Sequence, residues 1–195
     1  MKNLVLFDFD GTLIKGDSTK LAFRSLYRSK LSFIFFYYLI HIVGLLVLIF
    51  IGRDDQIRES RRNILASRYD CLRQSEFLNQ AQKKMFEQVY SRALNDVNNG
   101  CSLVIISAGY SEIIRLIIGD DIEYELIANS LFHKKPEVVN FENKVTRLNV
   151  KLKSTYFVKA AYGNTRGDIP MLQLAEKAYW VDENGRISDF SKLDV

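Results

Sequence analysis

The chain has 195 residues, 48% of them apolar and 26% charged, which is the balance of a globular protein and enough for one domain with a small insertion. Lys and Arg outnumber Asp and Glu by only 27 to 23, a net charge of +4. With no basic tail and no recognition motif, nucleic-acid binding is excluded. Cys71 and Cys101 are the two cysteines, far apart and without a partner motif, so a disulfide-built scaffold is excluded and a reducing, cytoplasmic setting is expected.

Taken in chain order, "MKNLVLFDFD" has one Lys and two acids within ten residues, which does not fit a signal peptide. Its run "LVLFDFDG" at 4–11 reads as a strand ending in small and acidic residues. Residues 15–74 hold no strand-like run followed by a turn and helix, and read as a helical insertion. Within it, 31–52, "LSFIFFYYLIHIVGLLVLIFIG", contains no Asp, Glu, Lys or Arg. Residues 75–99 have apolar positions near helical spacing, a possible N-cap in Ser75 and Gly100 to end them, predicting one long helix. "SLVIISAG" at 102–109, "ELIANS" at 125–130, "YFVKAAYGN" at 156–164 and "AYWVD" at 178–182 read as further strands. Apolar runs without polar alternation indicate strands covered on both faces, hence a parallel sheet in an α/β fold. Helices are expected over about 110–118, 143–153 and 168–176, and 130–143 reads as a small hairpin or loop.

In an open parallel sheet, ligands bind at the carboxyl ends of the strands. The candidate site residues fall there. In "DFDGTL", alternation puts Asp8 and Asp10 on one side of the extended backbone before Gly11 permits a tight turn. Two carboxylates so close repel unless a cation joins them, and Mg2+ suits an all-oxygen site. Ser107, with the backbone N–H groups of Ala108 and Gly109 after it, could hold phosphate oxygens. "AYGNTRGDIPML" at 161–172 adds Gly163, Asn164 and Asp168, with Pro170 near the start of the next helix. Lys144, in "FENKVTRL", could reach the same edge and balance anionic charge. Asp17, in "LIKGDSTK", reads equally as an N-cap and as an acid facing the substrate.

In chain order, the segments of Asp8, Ser107, Lys144 and Asn164 resemble the haloacid dehalogenase superfamily, and most closely its phosphoserine-phosphatase-like branch, subfamily IB. The resemblance implies a Rossmann-like core of residues 1–14 and 91–195, a helical cap of residues 15–90 inserted after the first strand, and a phosphatase acting on phosphate monoesters. It also implies roles. Asp8 would be the nucleophile that forms an aspartyl-phosphate, and Asp10 the general acid and base. Ser107 and Lys144 would bind the transferred phosphoryl group. Asp8, the Asp10 backbone carbonyl, Asn164 and Asp168 would hold Mg2+. The branch usually has Gly-Asp where this chain has Gly163-Asn164, and an amide carbonyl lacks a carboxylate's charge.

The uncharged run is long enough to cross a bilayer, yet one crossing would put Asp8 on one side and Ser107, Lys144 and Asn164 on the other. Lys15, Lys20, Arg24, Arg28 and Lys30 precede it, and Arg53, Arg58, Arg61, Arg62 and Arg68 come after it. Cations on both flanks keep both ends on the cytoplasmic face. With His41 and Gly44 mid-run, a re-entrant or interface-lying cap is expected; the alternative is packing against the core or a second subunit. The run is similar to the strongly apolar cap segment of some phosphatases of this branch, of the phosphatidylglycerophosphatase C type, whose substrates are held to be phospholipid head groups. A lipid phosphate is therefore one substrate reading, a soluble metabolite the second, and a catalytically weak membrane-linked scaffold the third.

Overall fold

The computed structural model describes residues 2–27, 42, 54–73, 76–120, 122–133, 143–153 and 155–192. All of the 31–52 run except Ile42 lies outside them, and so does the N-cap expected at Ser75. A six-stranded sheet forms the core, in the order β3-β2-β1-β4-β5-β6. Its strands are β1 (Lys2–Phe7), β2 (Ser102–Tyr110), β3 (Tyr124–Asn129), β4 (Tyr156–Gly163), β5 (Lys177–Val181) and β6 (Ile187–Asp189). The first five run parallel, and only β6 is antiparallel.

Side chains alternate between the two faces of a strand, and both faces are covered. Val5 and Phe7 of β1 join the larger core with Ile105 and Tyr162, beneath α5 (Glu87–Asn98) and α6 (Ser111–Ile118). Leu4 and Leu6 face the other way, with Val104, Ile106 and Ala161, against α7 (Lys144–Leu152) and α8 (Ile169–Leu172). In α6 the buried residues are Ile113, Ile114, Ile117 and Ile118; spacings of one, four and five give a helix one apolar stripe.

The described residues of the insertion after β1 are mainly helical, as expected: α1 (Ser18–Tyr27), α2 (Asp54–Ser67), α3 (Tyr69–Arg73) and α4 (Phe77–Gln82). The single helix expected over 75–99 is in fact two, α4 and α5. Between them the chain comes back to where it left the core. Lys15 N donates to the Lys84 carbonyl at 2.8 Å and Phe86 N to the Leu13 carbonyl at 2.9 Å. Those backbone groups cannot also complete a helical ladder. The helix expected over 168–176 is confined to α8 and a preceding 3-10 turn, Arg166–Asp168.

Candidate active site

The ends of β1, β2 and β4 meet where the connections diverge to opposite sides of β1, which is the switch point of an open α/β sheet. A cavity of about 210 Å3 opens there, lined by Asp8, Asp10, Asp17, Thr19, Ser107, Ala108, Gly109 and Thr165.

Lys144 is the centre of the electrostatics. It is only 1% exposed, at the first position of α7, and its Nζ donates to Asp8 Oδ1 and Asp168 Oδ1, each at 2.6 Å. Burial alone would favour the neutral amine, but the two carboxylates outweigh it and hold the Lys144 pKa above its usual value. The second oxygen of Asp168 accepts from Asn164 N, Thr165 N and Thr165 Oγ1 at 3.1, 2.9 and 2.8 Å. One carboxylate therefore fixes both Lys144 and the turn that presents Asn164.

Burial pushes Asp8 up to about 6; Lys144 opposes this and the charge of Asp168 adds to it. Burial also pushes Asp10 up to about 7 against the Ser18 N–H, which donates to Asp10 Oδ1 at 2.7 Å. Between the ordinary carboxylate value and about 7, these two groups therefore bind more protons in the folded protein than in the unfolded chain. The stability they contribute falls as pH rises through that window. We expect a loss on the order of 1–3 kcal/mol between about pH 5 and pH 7.5 in chelator, read from urea midpoints. Saturating Mg2+ should remove most of the slope by binding the ionised forms. A chelated protein whose stability is flat or rises across this interval would contradict the assignment.

Asn164 closes the cluster from β4. One terminal atom of its amide lies 3.2 Å from the Asp10 backbone carbonyl, 3.3 Å from Asp8 Oδ2 and 3.2 Å from Thr12 Oγ1. With nitrogen in that place, the amide donates to these acceptors. With oxygen there, three oxygens converge and a cation is what relieves them. Among the described residues no three His, Cys, Asp or Glu side chains converge as a metal cluster; this donor set mixes a carboxylate, a carbonyl and an amide. It fits a hard divalent cation. Gly11 makes the approach feasible: its φ is +81°, and a Cβ there would lie 2.0 Å from the Asn164 amide.

Ser107 accepts from Gly109 N at 2.9 Å, while the Ala108 carbonyl is held by Asn129 Nδ2 at 2.6 Å. Asp17 has the N-cap role that its sequence position offered. It accepts from Lys20 N at 2.9 Å at the start of α1 and also lines the cavity. Three contributors were not singled out from sequence: Thr12, 3.3 Å from Asp8 Oδ2, Ser18 on Asp10, and Thr165. Thr12 stands inside the "DFDGTL" motif, where a hydroxyl two residues past a carboxylate was the available signal.

Residues 5–173 match the model of the haloacid dehalogenase-like hydrolase family. The chain belongs to that family. No curated protein matches it. Among solved structures, a protein with unknown function from Bordetella pertussis Tohama I is 19% identical with a TM-score of 0.69, over 91% of this chain and 89% of that one. A phosphoserine phosphatase in apo form is 17% identical with a TM-score of 0.56, over 92% and 86%. A phosphoserine phosphohydrolase-like protein from Francisella tularensis subsp. tularensis SCHU S4 is 20% identical with a TM-score of 0.53, over 91% and 86%. At these identities the likeness is one of fold. Within a haloacid dehalogenase-like hydrolase, the helical insertion after β1 is the cap, and Arg62 of α2 ties it to the core by donating to the His133 carbonyl at 2.7 Å.

Proposed function

We propose that this haloacid dehalogenase-like hydrolase is a divalent-cation-dependent phosphomonoesterase that works through an aspartyl-phosphate on Asp8. The observation that carries the reading is the buried Asp8–Lys144–Asp168 array, whose Asp8 lines the same cavity as Asp10 and the 107–109 loop. Lys144 keeps Asp8 available as a carboxylate despite burial, and an ionised carboxylate is the nucleophile needed to attack phosphorus. Asp10, with its pKa near neutrality, gives a proton to the departing alcohol oxygen. It then takes one from the water that cleaves the acyl phosphate. The Ser107 hydroxyl, the 108–109 backbone and Lys144 would bind the transferred oxygens. Asp8, the Asp10 carbonyl and Asn164 would hold Mg2+, whose chemistry is to neutralise charge on the phosphoryl group. Asp168, which the resemblance gave as a further ligand, has one oxygen on Lys144 and the other on the 164–165 turn, and supports this set through them instead.

The test is hydrolysis of a generic aryl phosphate with Mg2+ and with chelator, and then a panel of soluble and phospholipid monoesters with and without vesicles. Activity that persists in chelator would remove the cation from the reading. The lipid reading is supported by the uncharged 31–52 run and its basic flanks; among the described residues no helix is long and apolar enough to cross a membrane. Turnover confined to soluble esters, with no vesicle co-sedimentation, would leave the metabolite reading.

Asn164→Asp provides a separate check. A carboxylate adds charge for the cation but cannot donate to Asp8 and Asp10 when the cation is gone. We expect Mg2+ half-saturation about tenfold lower, together with lower stability in chelator, read by calorimetric titration and by urea denaturation. Unchanged affinity would place Asn164 outside the cation's ligands.

A further inference from the structure

Tyr162 has no part in the chemistry above, yet it is a tyrosine with only 1% of its surface exposed, next to the catalytic turn. Its ring lies parallel to that of Phe7, with centroids 4.2 Å apart and an interplanar angle of 4°. The other side stacks on Tyr179 at 4.8 Å and 19°. Its hydroxyl is held from α5: Arg92 Nε donates to it at 3.2 Å, and it donates to Asp96 Oδ2 at 3.3 Å. Arg92 also donates from Nη2 to the Tyr179 hydroxyl at 3.3 Å, with its guanidinium 5.3 Å from the centre of that ring. These groups line a groove of about 450 Å3 beside α5, separate from the catalytic cavity.

Each ring stands just ahead of a site residue in the chain. Phe7 immediately precedes Asp8, and Tyr162 comes two residues before Asn164. The two rings belong to register partners on β1 and β4, and the strands are tied again where Asp8 N donates to the Tyr162 carbonyl at 3.0 Å. The oxygens that converge on the proposed cation come from these two strand ends. Stacked rings have a preferred separation, so a Phe7–Tyr162 pair fixed by hydrogen bonds at its outer end also fixes the spacing of the strands that carry Asp8 and Asn164.

We propose that Tyr162, held by Arg92 and Asp96, is a positioning residue that sets the Asp8–Asn164 spacing and so the affinity for the divalent cation. The proposal rests on the cation reading given above. Its consequence is that the α5-covered face of the sheet, through groups that do not line the catalytic cavity, controls how tightly the metal is held.

The experiment measures Mn2+ binding without substrate, by electron paramagnetic resonance of free Mn2+, for wild type, Tyr162→Phe, Tyr162→Leu and Arg92→Ala. Aryl phosphate kinetics are then run at saturating Mn2+. Tyr162→Leu is expected to weaken Mn2+ binding about tenfold and Tyr162→Phe and Arg92→Ala about two- to fivefold. The KM for the ester should stay within about twofold, and kcat should recover at saturating metal. A merely structural role would lower the melting temperature and leave the Mn2+ dissociation constant of the folded protein unchanged; that result overturns the proposal. If Tyr162→Leu does not fold, Tyr162→Phe and the exposed Arg92→Ala decide by the same criterion. A wild type that binds no Mn2+ defeats the cation reading and this proposal together, whereas wild-type binding with unaffected variants defeats this proposal alone.

Discussion

Asp8→Asn is expected to abolish hydrolysis of an aryl phosphate, by roughly three orders of magnitude or more, while the protein stays folded. The amide has nearly the same shape but no charge to form the P–O bond. Folding should survive because burial already works against the Asp8 charge, and Lys144 keeps its 2.6 Å bond to Asp168. Initial rates together with urea midpoints separate the two effects. Equal rates for wild type and variant would favour a scaffold that uses this fold for binding, and a variant that is inactive because it is unfolded would show itself in the midpoint.

Lys144→Met is the second large effect and falls on stability. The side chain lies buried between two carboxylates that are 6% and 0% exposed, and a buried pair with one partner removed leaves charge without compensation. Such losses run to about 3–5 kcal/mol. Asp8 can escape the cost by taking up a proton, so the destabilisation should be smaller near pH 5 than near pH 8. Chemical denaturation at the two values reads the difference, and an equal cost at both would mean that the ionised pair is not what Lys144 compensates. Activity should be lost as well, since Asp8 would then favour the neutral acid.

How legible this was depended on the distance over which each feature is determined. The strands at β1, β2, β4 and β5 are local: their apolar runs need no partner to be recognised, and the acids and small residues that end them fit where such sheets bind ligands. The split of 75–99 into α4 and α5 was not legible, because hydrophobic periodicity continues through Lys83–Phe86 while the backbone bonds that interrupt it go to Leu13 and Lys15, some seventy residues earlier in sequence. The short edge strand β6 pairs with β5 over three residues and carries too few side chains to show a pattern. Lys144 could be placed near the site by resemblance, but nothing local to "FENKVTRL" indicates that the side chain is buried between Asp8 and Asp168. The same holds for Ser18, which acts through a backbone N–H that every residue except proline possesses.

The paired backbone bonds at Lys15–Lys84 and Leu13–Phe86 also bear on how such a protein can change. They bring the two ends of the cap side by side, so the chain leaves the sheet and rejoins it at one place. Lengthening or replacing an excursion with fixed ends costs little, since closure entropy grows only with the logarithm of its length. Asp8 and Asp10 lie before the departure point, and Ser107, Lys144 and Asn164 lie after the return. New cap sequences grafted at those two junctions would thus leave these five residues in place and replace Asp17, Ser18 and Thr19, the cap's own contribution to the cavity and to Asp10.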